Sequence, residues 1–470
     1  MRDETMKVLP FLFLLLLLPV VVVLAVQSQK IISRARETPA NILVNTNTVV
    51  GPLPHTWKAL AQGGEEKGVA MLGNVIPQTT ALTPRYIRLD HIYDFYDVVS
   101  LDPNGGLTFA WGGLDETVCH ILQTGAKPFL SLGYMPPSIS KDGTLVGVPI
   151  KWEYWQEMVK RTIERYSAQT PQICGGELDT RLSEVYYEVW NEPDLETFGK
   201  WSIHGGEKDY KQMYYYASEA AKNAQNTQPF FFGGPATTRP YQNWMQIFLK
   251  YADAYNMRVD FLSWHHYSQS TDDFQSDMVL IDQWLQGREY DKYRTLPRII
   301  SEWGFDSNPN PIADSQVSAA HTVATIRHLV DQELEMAFAF EIKDGINPSW
   351  GMLTHDGVEK PRYHALKLLN VLGPRRVEVR GEGTWVSALA SRDFQNISLV
   401  LVNYDQTGAH SEVVPVTFTG LTPNTSYRFI RKSLLTEEAN VILTSTSTGT
   451  LSQIVSMAPN STYSIELIPQ

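Results

Sequence analysis

Eight short apolar segments, each followed by a stretch of helical character, constrain the fold of this chain most strongly. They are rich in β-branched and aromatic residues, as expected for parallel strands that are buried on both faces. We place them at residues 46–51, 85–89, 127–133, 184–190, 230–233, 259–264, 298–303 and 336–342. The intervening segments, such as 152–166 and 207–221, repeat apolar residues at the spacing of one helix face. This alternation predicts an α/β fold, a (β/α)8 TIM barrel over residues 41–372.

The pattern changes near residue 373. From there the chain reads as short segments of alternating apolar and polar residues, separated by turns rich in Ser, Thr, Gly and Asn. Six such segments, from "RVEVR" to "TYSIELI", follow one another without a helical pattern between them. They predict a C-terminal β-sandwich over residues 373–470.

The N-terminus carries a segment of a different kind. Residues 8–26 are uncharged and consist almost entirely of Leu, Val and Phe. At about 1.5 Å per residue, such a helix is just long enough to cross a bilayer. We therefore expect residues 1–30 to be a single-pass membrane anchor, residues 31–40 a linker, and the barrel to lie on the extracellular side. A cleaved signal peptide, which would make the protein secreted, is the alternative.

Composition narrows the possible partners. The net charge of −12 argues against a nucleic-acid partner. The chain has 12 Trp and 22 Tyr, which suit a protein that stacks aromatic rings on sugars, although large cores use the same residues. Its two cysteines, Cys119 and Cys174, are too few for a metal cluster. We expect both to be buried thiols, with a disulfide between them as the alternative.

Two glutamates stand where predicted barrel strands end. Glu192 follows the fourth strand in "NEPD", and Glu302 ends the seventh in "ISEWGF". Catalytic residues of such barrels lie at this end of the strands, and the fourth and seventh strands face each other across the barrel mouth. Two opposed carboxylates are the machinery that cleaves glycosidic bonds. Glu188, four residues before Glu192, is instead expected in a polar layer inside the barrel.

The order of several segments resembles glycoside hydrolase family 39, the clan A family of β-xylosidases and α-L-iduronidases. These segments are "KPFLSLGYMP", "EVWNEPD", "GGPATT" and "SEWGF". The resemblance implies that Glu192 is the acid/base and Glu302 the nucleophile of a retaining mechanism. It also implies a glycoside or oligosaccharide substrate, no cofactor and no metal ion. We expect Glu302 to be ionised and Glu192 to hold its proton to higher pH.

The resemblance also implies a set of substrate contacts. Asn191 is expected to hydrogen-bond the sugar 2-hydroxyl, and Tyr267 to donate to Glu302. The other expected contacts are His55, Arg88, Asp90, His265, Trp303, Glu341 and Lys343.

This chain departs from the family pattern at two strand ends. Asp90 stands where the family's second strand carries a His, and Glu341 and Lys343 alter the end of the eighth strand. Both departures put charge in the sugar pocket, where Lys343 could face an anionic or differently hydroxylated sugar. An exo-acting hydrolase, β-xylosidase-like or related, is expected. An endo-acting clan A glycanase and a non-catalytic carbohydrate-binding surface protein are the alternatives, and the sugar, the anomer and the oligomeric state stay open.

Overall fold

The fold is taken from a computed structural model, which describes residues 37–63, 66–170, 173–176, 182–332, 334–347 and 350–470. The anchor or signal segment expected at residues 1–30 lies outside the described residues, as do the first six residues of the expected linker. Within the described ranges, no helix combines the length and the apolar character needed to span a bilayer.

Eight parallel strands close into a barrel, as predicted, and one longer strand, β1 (Ile42–Pro52), precedes them. A hairpin of β4 (Val99–Leu101) and β5 (Leu107–Phe109) is inserted after the second barrel strand. The barrel strands are β2 (Ala59–Gln62), β3 (Tyr86–Leu89), β6 (Lys127–Leu132), β7 (Val185–Val189), β8 (Phe230–Thr237), β9 (Phe261–Tyr267), β10 (Arg298–Gly304) and β11 (Met336–Phe340).

The prediction that residues 46–51 form the first barrel strand is wrong. These residues belong to β1, which pairs antiparallel with β12 (Arg375–Arg380) and parallel with β15 (Glu412–Thr419) of the C-terminal sheet. In its first residues β1 alternates buried and exposed side chains, as a strand with one buried face does. The true first barrel strand, "ALAQ", is fully buried but short and lacks β-branched residues, so its pattern is weak.

Helices surround the barrel and pack their apolar faces on its outer surface. The helix α3, for example, buries Trp155, Val159 and Ile163 at helical spacing against the barrel. The helices are α1 (Ile76–Ala81), α2 (Gly112–Gln123), α3 (Trp152–Tyr166), α4 (Tyr210–Asn223), α5 (Gln242–Ala254), α6 (Asp277–Trp284), α7 (Gln316–Asp331) and α8 (Pro361–Leu369).

Eight C-terminal strands and β1 form a mixed nine-stranded sheet that folds over its own core as a β-sandwich. Strands from distant places in the sheet order share this core, for instance through Val416, Phe429 and Ile465. The sheet runs β17-β16-β19-β14-β13-β12-β1-β15-β18. Its further strands are β13 (Val386–Asp393), β14 (Asn396–Asn403), β16 (Ser426–Lys432), β17 (Glu437–Thr444), β18 (Leu451–Met457) and β19 (Thr462–Pro469).

The expectation of two buried thiols is wrong, because Cys119 and Cys174 form a disulfide with their Cα atoms 5.6 Å apart. Both residues are only half-buried. The bond joins α2 to the loop between α3 and β7 across 55 residues of sequence. Since this contact depends on how α2 and α3 pack around the barrel, the spacing of the cysteines gave no sign of it.

The barrel interior is layered in a way that positions the site. Its floor is an apolar cluster to which most strands contribute, including Tyr86, Phe129 and Phe261. Two residues beyond this floor along β3 and β7, Arg88 and Glu188 form a buried ion pair. The Nε atom of Arg88 lies 2.8 Å from Oε2 of Glu188. This is the polar layer expected for Glu188, and it brings the next residues of each strand to the mouth of the barrel.

Candidate active site

The chain leaves β7 in an unusual backbone conformation that fixes Glu192. Trp190 and Glu192 have positive φ angles of 72° and 40°, a left-handed conformation that costs on the order of 1–3 kcal/mol per residue outside glycine. The surroundings hold it in place. The Glu192 N–H donates to the Ala236 carbonyl over 2.9 Å, and Asp194 accepts from the Thr238 N–H over 3.0 Å. The loop is therefore tied to the end of β8, and the Glu192 side chain stands over the barrel mouth.

Glu302 is held by register between two neighbouring strands. It lies opposite His265 of β9, just after an irregularity in the pairing of β10. His265 and Tyr267 are two residues apart in β9 and therefore face the same side of the sheet. A Cβ atom on Gly304 would lie 2.9 Å from the Tyr267 ring. Glycine at this position makes room for the ring beside Glu302.

The two carboxylates meet around His265. Its Nδ1 lies 2.9 Å from Oε1 of Glu192 and 3.4 Å from Oε2 of Glu302. One oxygen of each carboxylate and one ring nitrogen of His265 all lie within 4.8 Å of one another. The Tyr267 hydroxyl donates to Oε2 of Glu302 over 2.9 Å. The structure thus brings together the two glutamates, His265 and Tyr267, all named from the sequence.

Arg88 lies in the layer below the two carboxylates and donates three hydrogen bonds. Its Nε donates to Glu188, its Nη1 to Glu302 over 2.7 Å, and its Nη2 to Oδ1 of Asn191 over 2.8 Å. Because a guanidinium only donates, these bonds fix the orientation of the Asn191 amide, with its oxygen toward Arg88. The NH2 group of Asn191 therefore points away from Arg88, where it hydrogen-bonds the Tyr134 hydroxyl.

Burial and charge act in opposite directions on the pKa values of this cluster. Burial raises the pKa of Glu302, helped by the charge of Glu192, while His265 and Arg88 oppose the rise without cancelling it. Burial would lower the pKa of His265, but the carboxylates of Glu302 and Glu192 outweigh it, so this pKa is raised. Burial raises the pKa of Tyr267 well above its usual range, so its hydroxyl remains a donor. The raised pKa of Glu302 runs against the expectation that this carboxyl ionises readily, so its ionisation depends on its donors.

Three further predicted contacts lie at strand ends on the same side of the barrel. Asp90, after β3, is buried and accepts from the Tyr134 hydroxyl over 3.2 Å. Glu341, directly after β11, is fully buried. Lys343 is buried too, and its ammonium donates to Oδ1 of Asn74 over 2.9 Å.

Trp303 follows Glu302 but faces the other side of β10. Its ring lies against the Arg362 guanidinium, 5.3 Å from the ring centroid, and at 6.1 Å from the ring of Phe274. Trp303 therefore packs between the barrel and its helices and does not line the mouth beside Glu302.

His55 does not join the site, which corrects its expected role. It precedes β2 and so lies at the amino-terminal end of the barrel strands, where its Nε2 is 3.2 Å from the Leu372 carbonyl. Its ring packs edge-on against Trp57. The error follows from taking residues 46–51 as the first strand, which put the carboxyl end of that strand near His55.

Two residues of the site were missed in the sequence. Tyr134 follows β6, contacts Asp90 as described, and packs edge-on against the Trp190 ring at 5.1 Å. An aromatic residue at a barrel strand end, in "LGYMP", is the signal that indicates it. Arg362 is the second. It lies on α8, far along the chain from either glutamate, and no motif surrounds it.

Glu192, His265 and Glu302 also have the spacing of a metal site. His265 Nδ1 is already hydrogen-bonded to Glu192, however, and the Arg88 guanidinium lies 2.7 Å from Glu302. A metal cation here would meet that positive charge at close range. The donor set therefore fits two carboxylates on either side of His265 better than a cation site.

Comparisons with known proteins agree with this geometry. The model of glycosyl hydrolases family 39 matches residues 74–440. A β-xylosidase of Caldicellulosiruptor saccharolyticus is 25% identical over 354 residues, covering 68% of this chain and 69% of that protein. One from Geobacillus stearothermophilus is 24% identical over 400 residues, covering 75% and 74%.

Solved structures share the fold. The monomeric β-xylosidase of Caulobacter crescentus CB15 has a TM-score of 0.74 at 20% identity, covering 92% of this chain and 99% of its own. A bacterial orthologue of human α-L-iduronidase has a TM-score of 0.68 at 15% identity, covering 92% and 84%. With the family model matched over most of its length and two carboxylates at the barrel mouth, the chain belongs to glycosyl hydrolases family 39 and is a glycosidase.

Proposed function

We propose that this glycosidase is a retaining, exo-acting hydrolase of neutral glycosides, with Glu302 as nucleophile and Glu192 as acid/base. The observation that carries the proposal is the short gap between the carboxylates. One oxygen of each lies within 4.8 Å of the other and of a ring nitrogen of His265. Retaining enzymes hold their carboxyl groups about 5–5.5 Å apart, whereas inverting enzymes leave about 6.5–9.5 Å for a water molecule. A gap this short supports direct attack by a carboxylate on the sugar.

The reaction then proceeds in two displacements. An oxygen of Glu302 forms a bond to the anomeric carbon while the bond to the leaving oxygen breaks and Glu192 protonates that oxygen. In the second displacement, water attacks the same carbon, Glu192 takes a proton from the water, and the bond to Glu302 breaks. Two inversions at one carbon leave the product with the configuration of the substrate.

The hydrogen bonds favour Glu302 as the ionised member of the pair. Glu302 accepts from Arg88 and from Tyr267, both within 2.9 Å, while the contact from His265 is 3.4 Å. Glu192 has the 2.9 Å contact with His265. Donors stabilise a carboxylate in its charged form. When Glu302 becomes an ester its charge disappears, and Glu192 is then free to ionise and act as a base.

The charges around the pair support a neutral sugar. Asp90 adds a buried carboxylate whose charge reaches Glu302. The nearby cations are engaged within the protein, Arg88 by three acceptors and Lys343 by Asn74. A uronate would meet carboxylates first, whereas a neutral sugar can donate a hydroxyl to Asp90. The β-xylosidase activity of two relatives makes an aryl β-xyloside the first substrate to test.

The depth of the carboxylates supports exo action. The side chains of Glu192 and Glu302 are 12% and 9% exposed. Such recessed groups suit a pocket that accepts a chain end. An endo-acting enzyme needs an open cleft that admits the middle of a polymer. The labelled products at early times from an oligosaccharide labelled at its reducing end distinguish the two, because an exo enzyme shortens the labelled chain by one sugar at a time.

The decisive experiment traps the covalent intermediate. The enzyme is first screened with aryl β-xyloside, β-glucoside and β-glucuronide, and then incubated with the 2-fluoro analogue of the best substrate. We expect the label on the peptide that contains Glu302, and product of retained configuration by NMR. A label on another residue contradicts the assignment of the nucleophile, and an inverted product contradicts the retaining mechanism. Faster hydrolysis of the glucuronide contradicts the neutral substrate.

We also propose that residues 8–26 place the barrel on the outer side of a membrane, on the evidence of their apolar sequence alone. Deletion of residues 1–30 should leave an active enzyme, because the site residues all follow residue 87. Sequencing the N-terminus of the native protein tests the anchor. A chain that begins near Ser28 identifies a cleaved signal peptide instead.

A further inference from the structure

Arg362 is a buried cation close to the ends of two barrel strands. It is the second residue of α8, and only 4% of its surface is exposed. Its neighbours are the last residues of β10, which carries Glu302, and of β11. Neither of the two displacements requires it to touch the substrate.

Its hydrogen bonds clamp the backbone beyond the nucleophile. Nη2 lies 3.4 Å from the carbonyl of Trp303, the residue after Glu302, and Nη1 donates to the carbonyl of Phe340 at the end of β11. Nε donates to the Thr322 hydroxyl of α7 over 3.2 Å. The guanidinium also lies over the Trp303 ring. One side chain thus fixes β10 against β11 and α7 on the outer side of the barrel, at the residue that follows Glu302.

The acceptors of Arg362 are carbonyls and a hydroxyl, so no carboxylate bonds to it within the described part of the chain. Its charge acts on the groups around it, the hydroxyl of Tyr267, the carboxylate of Glu341 and the imidazole of His321. Burial lowers the pKa of Arg362 to about 10, which leaves it charged at neutral pH.

Arg327, a half-buried arginine, shows the usual alternative, which is pairing with carboxylates. It binds both oxygens of Glu382 over 2.8 Å and also contacts Asp331. A buried cation without such an ion pair is costly, by several kcal/mol. Carbonyls alone can be satisfied by neutral donors, so clamping the backbone does not by itself explain a charge at position 362.

We propose that Arg362 is a positioning residue for hydrolysis: it fixes the peptide after Glu302 and directs its positive charge through Tyr267 onto the Glu302 carboxylate. The proposal rests on Glu302 as the nucleophile. The groups that face Glu302 are Arg88, His265, Tyr267, Glu192 and Asp90. Gly304 lies between Arg362 and Tyr267, because a Cβ atom there would be 2.9 Å from the Tyr267 ring and 3.8 Å from the Phe340 carbonyl that accepts from Arg362. Arg362 thus lies close to Tyr267, which donates its hydroxyl to Oε2 of Glu302. A cation behind that donor strengthens the donation and favours the ionised carboxylate.

The test compares three variants of the full chain, Arg362→Lys, Arg362→Gln and, as a control, Arg327→Gln. For each, kcat/KM for an aryl glycoside is measured from pH 4 to 9, and Tm is recorded. We expect Arg362→Gln to move the acid limb upward by about 0.5–1 pH unit and to lower the rate below that limb about threefold to tenfold. Arg362→Lys keeps the charge, so its acid limb should lie near that of the parent enzyme.

The control separates catalysis from folding. Arg327→Gln should lower Tm, because it leaves Glu382 and Asp331 without their shared cation, but should not move the acid limb. An acid limb that is the same in Arg362→Gln and the parent enzyme overturns the proposal, as does an equal displacement in Arg362→Lys and Arg362→Gln. If Arg362→Gln does not fold, Arg362→Lys against Arg362→Met at low temperature provides the same comparison. Labelling of Glu302 by the 2-fluoro glycoside in the parent enzyme reports separately on the proposed function.

Discussion

Removing the hydroxyl of Tyr267 should change the pH dependence of catalysis. This hydroxyl donates to Oε2 of Glu302 over 2.9 Å, and the Glu302 side chain is only 9% exposed, so water cannot easily replace the donor. The bond stabilises the ionised form of Glu302. In Tyr267→Phe that stabilisation is lost, and the pKa of Glu302, already raised by burial, should rise further.

The magnitude follows from the strength of such bonds. A hydrogen bond to a charged group contributes about 1.5–3 kcal/mol. At about 1.4 kcal/mol per pH unit, the acid limb of kcat/KM should move upward by about 1–2 pH units. Because the reactive form of the free enzyme has Glu302 ionised, the rate at a fixed pH below the limb should fall about tenfold for each pH unit that the limb moves.

The assay is kcat/KM for an activated aryl glycoside between pH 4 and 9, where the first displacement governs the value. The matched control is Tyr214→Phe, which removes a buried hydroxyl that donates to the neutral carbonyl of Arg258 over 3.0 Å. That variant should lose about 0.5–1.5 kcal/mol of stability with both limbs unchanged. If the acid limb of Tyr267→Phe coincides with that of the parent enzyme, the hydroxyl does not control the ionisation of Glu302 and our reasoning is refuted.

Three further changes test other parts of the structure. Glu192→Gln should severely slow substrates with poor leaving groups, and added azide should restore turnover and give a glycosyl azide of retained configuration, checked by NMR. Arg88→Met should destabilise the fold by about 3–5 kcal/mol, because it leaves Glu188 buried and unpaired; adding Glu188→Gln should recover part of this loss in denaturant titrations. Replacing Cys119 and Cys174 by Ser should cost on the order of 2–4 kcal/mol for a loop of 55 residues, and an unchanged midpoint of denaturation would contradict this.

Local patterns were sufficient for most of the barrel and for its two glutamates. Seven of the eight barrel strands overlap predicted segments, because buried parallel strands are compact and apolar whatever lies around them. Glu192 and Glu302 were found because each stands at the end of such a strand. The prediction of the first barrel strand was wrong for the same reason. The short "ALAQ" has a weaker pattern than β1, and the partners of β1 lie more than 320 residues further along the chain.

Contacts between distant segments account for the rest. The disulfide depends on where α2 meets the loop before β7. The clamp by Arg362 depends on where the start of α8 meets the ends of β10 and β11. Trp303 and Glu302 are neighbours in a strand, so their side chains face opposite sides of the sheet. Which of these sides becomes the interior is decided only when the barrel closes. No spacing within one segment carries this information.

The energetics of Glu302 show why its surroundings matter as much as its position. Burial alone raises its pKa, and a protonated carboxyl cannot attack the sugar. Arg88 of β3 and Tyr267 of β9 counter the burial with hydrogen bonds of 2.7 and 2.9 Å, and His265 adds an opposing charge. Water would ionise the carboxylate more easily, but it would also solvate it and weaken it as a nucleophile. A buried carboxylate kept ionised by fixed donors is charged without being hydrated, and it gives up that charge when it binds the sugar. Donors on two other barrel strands are therefore expected to be as necessary for the first displacement as the carboxylate itself.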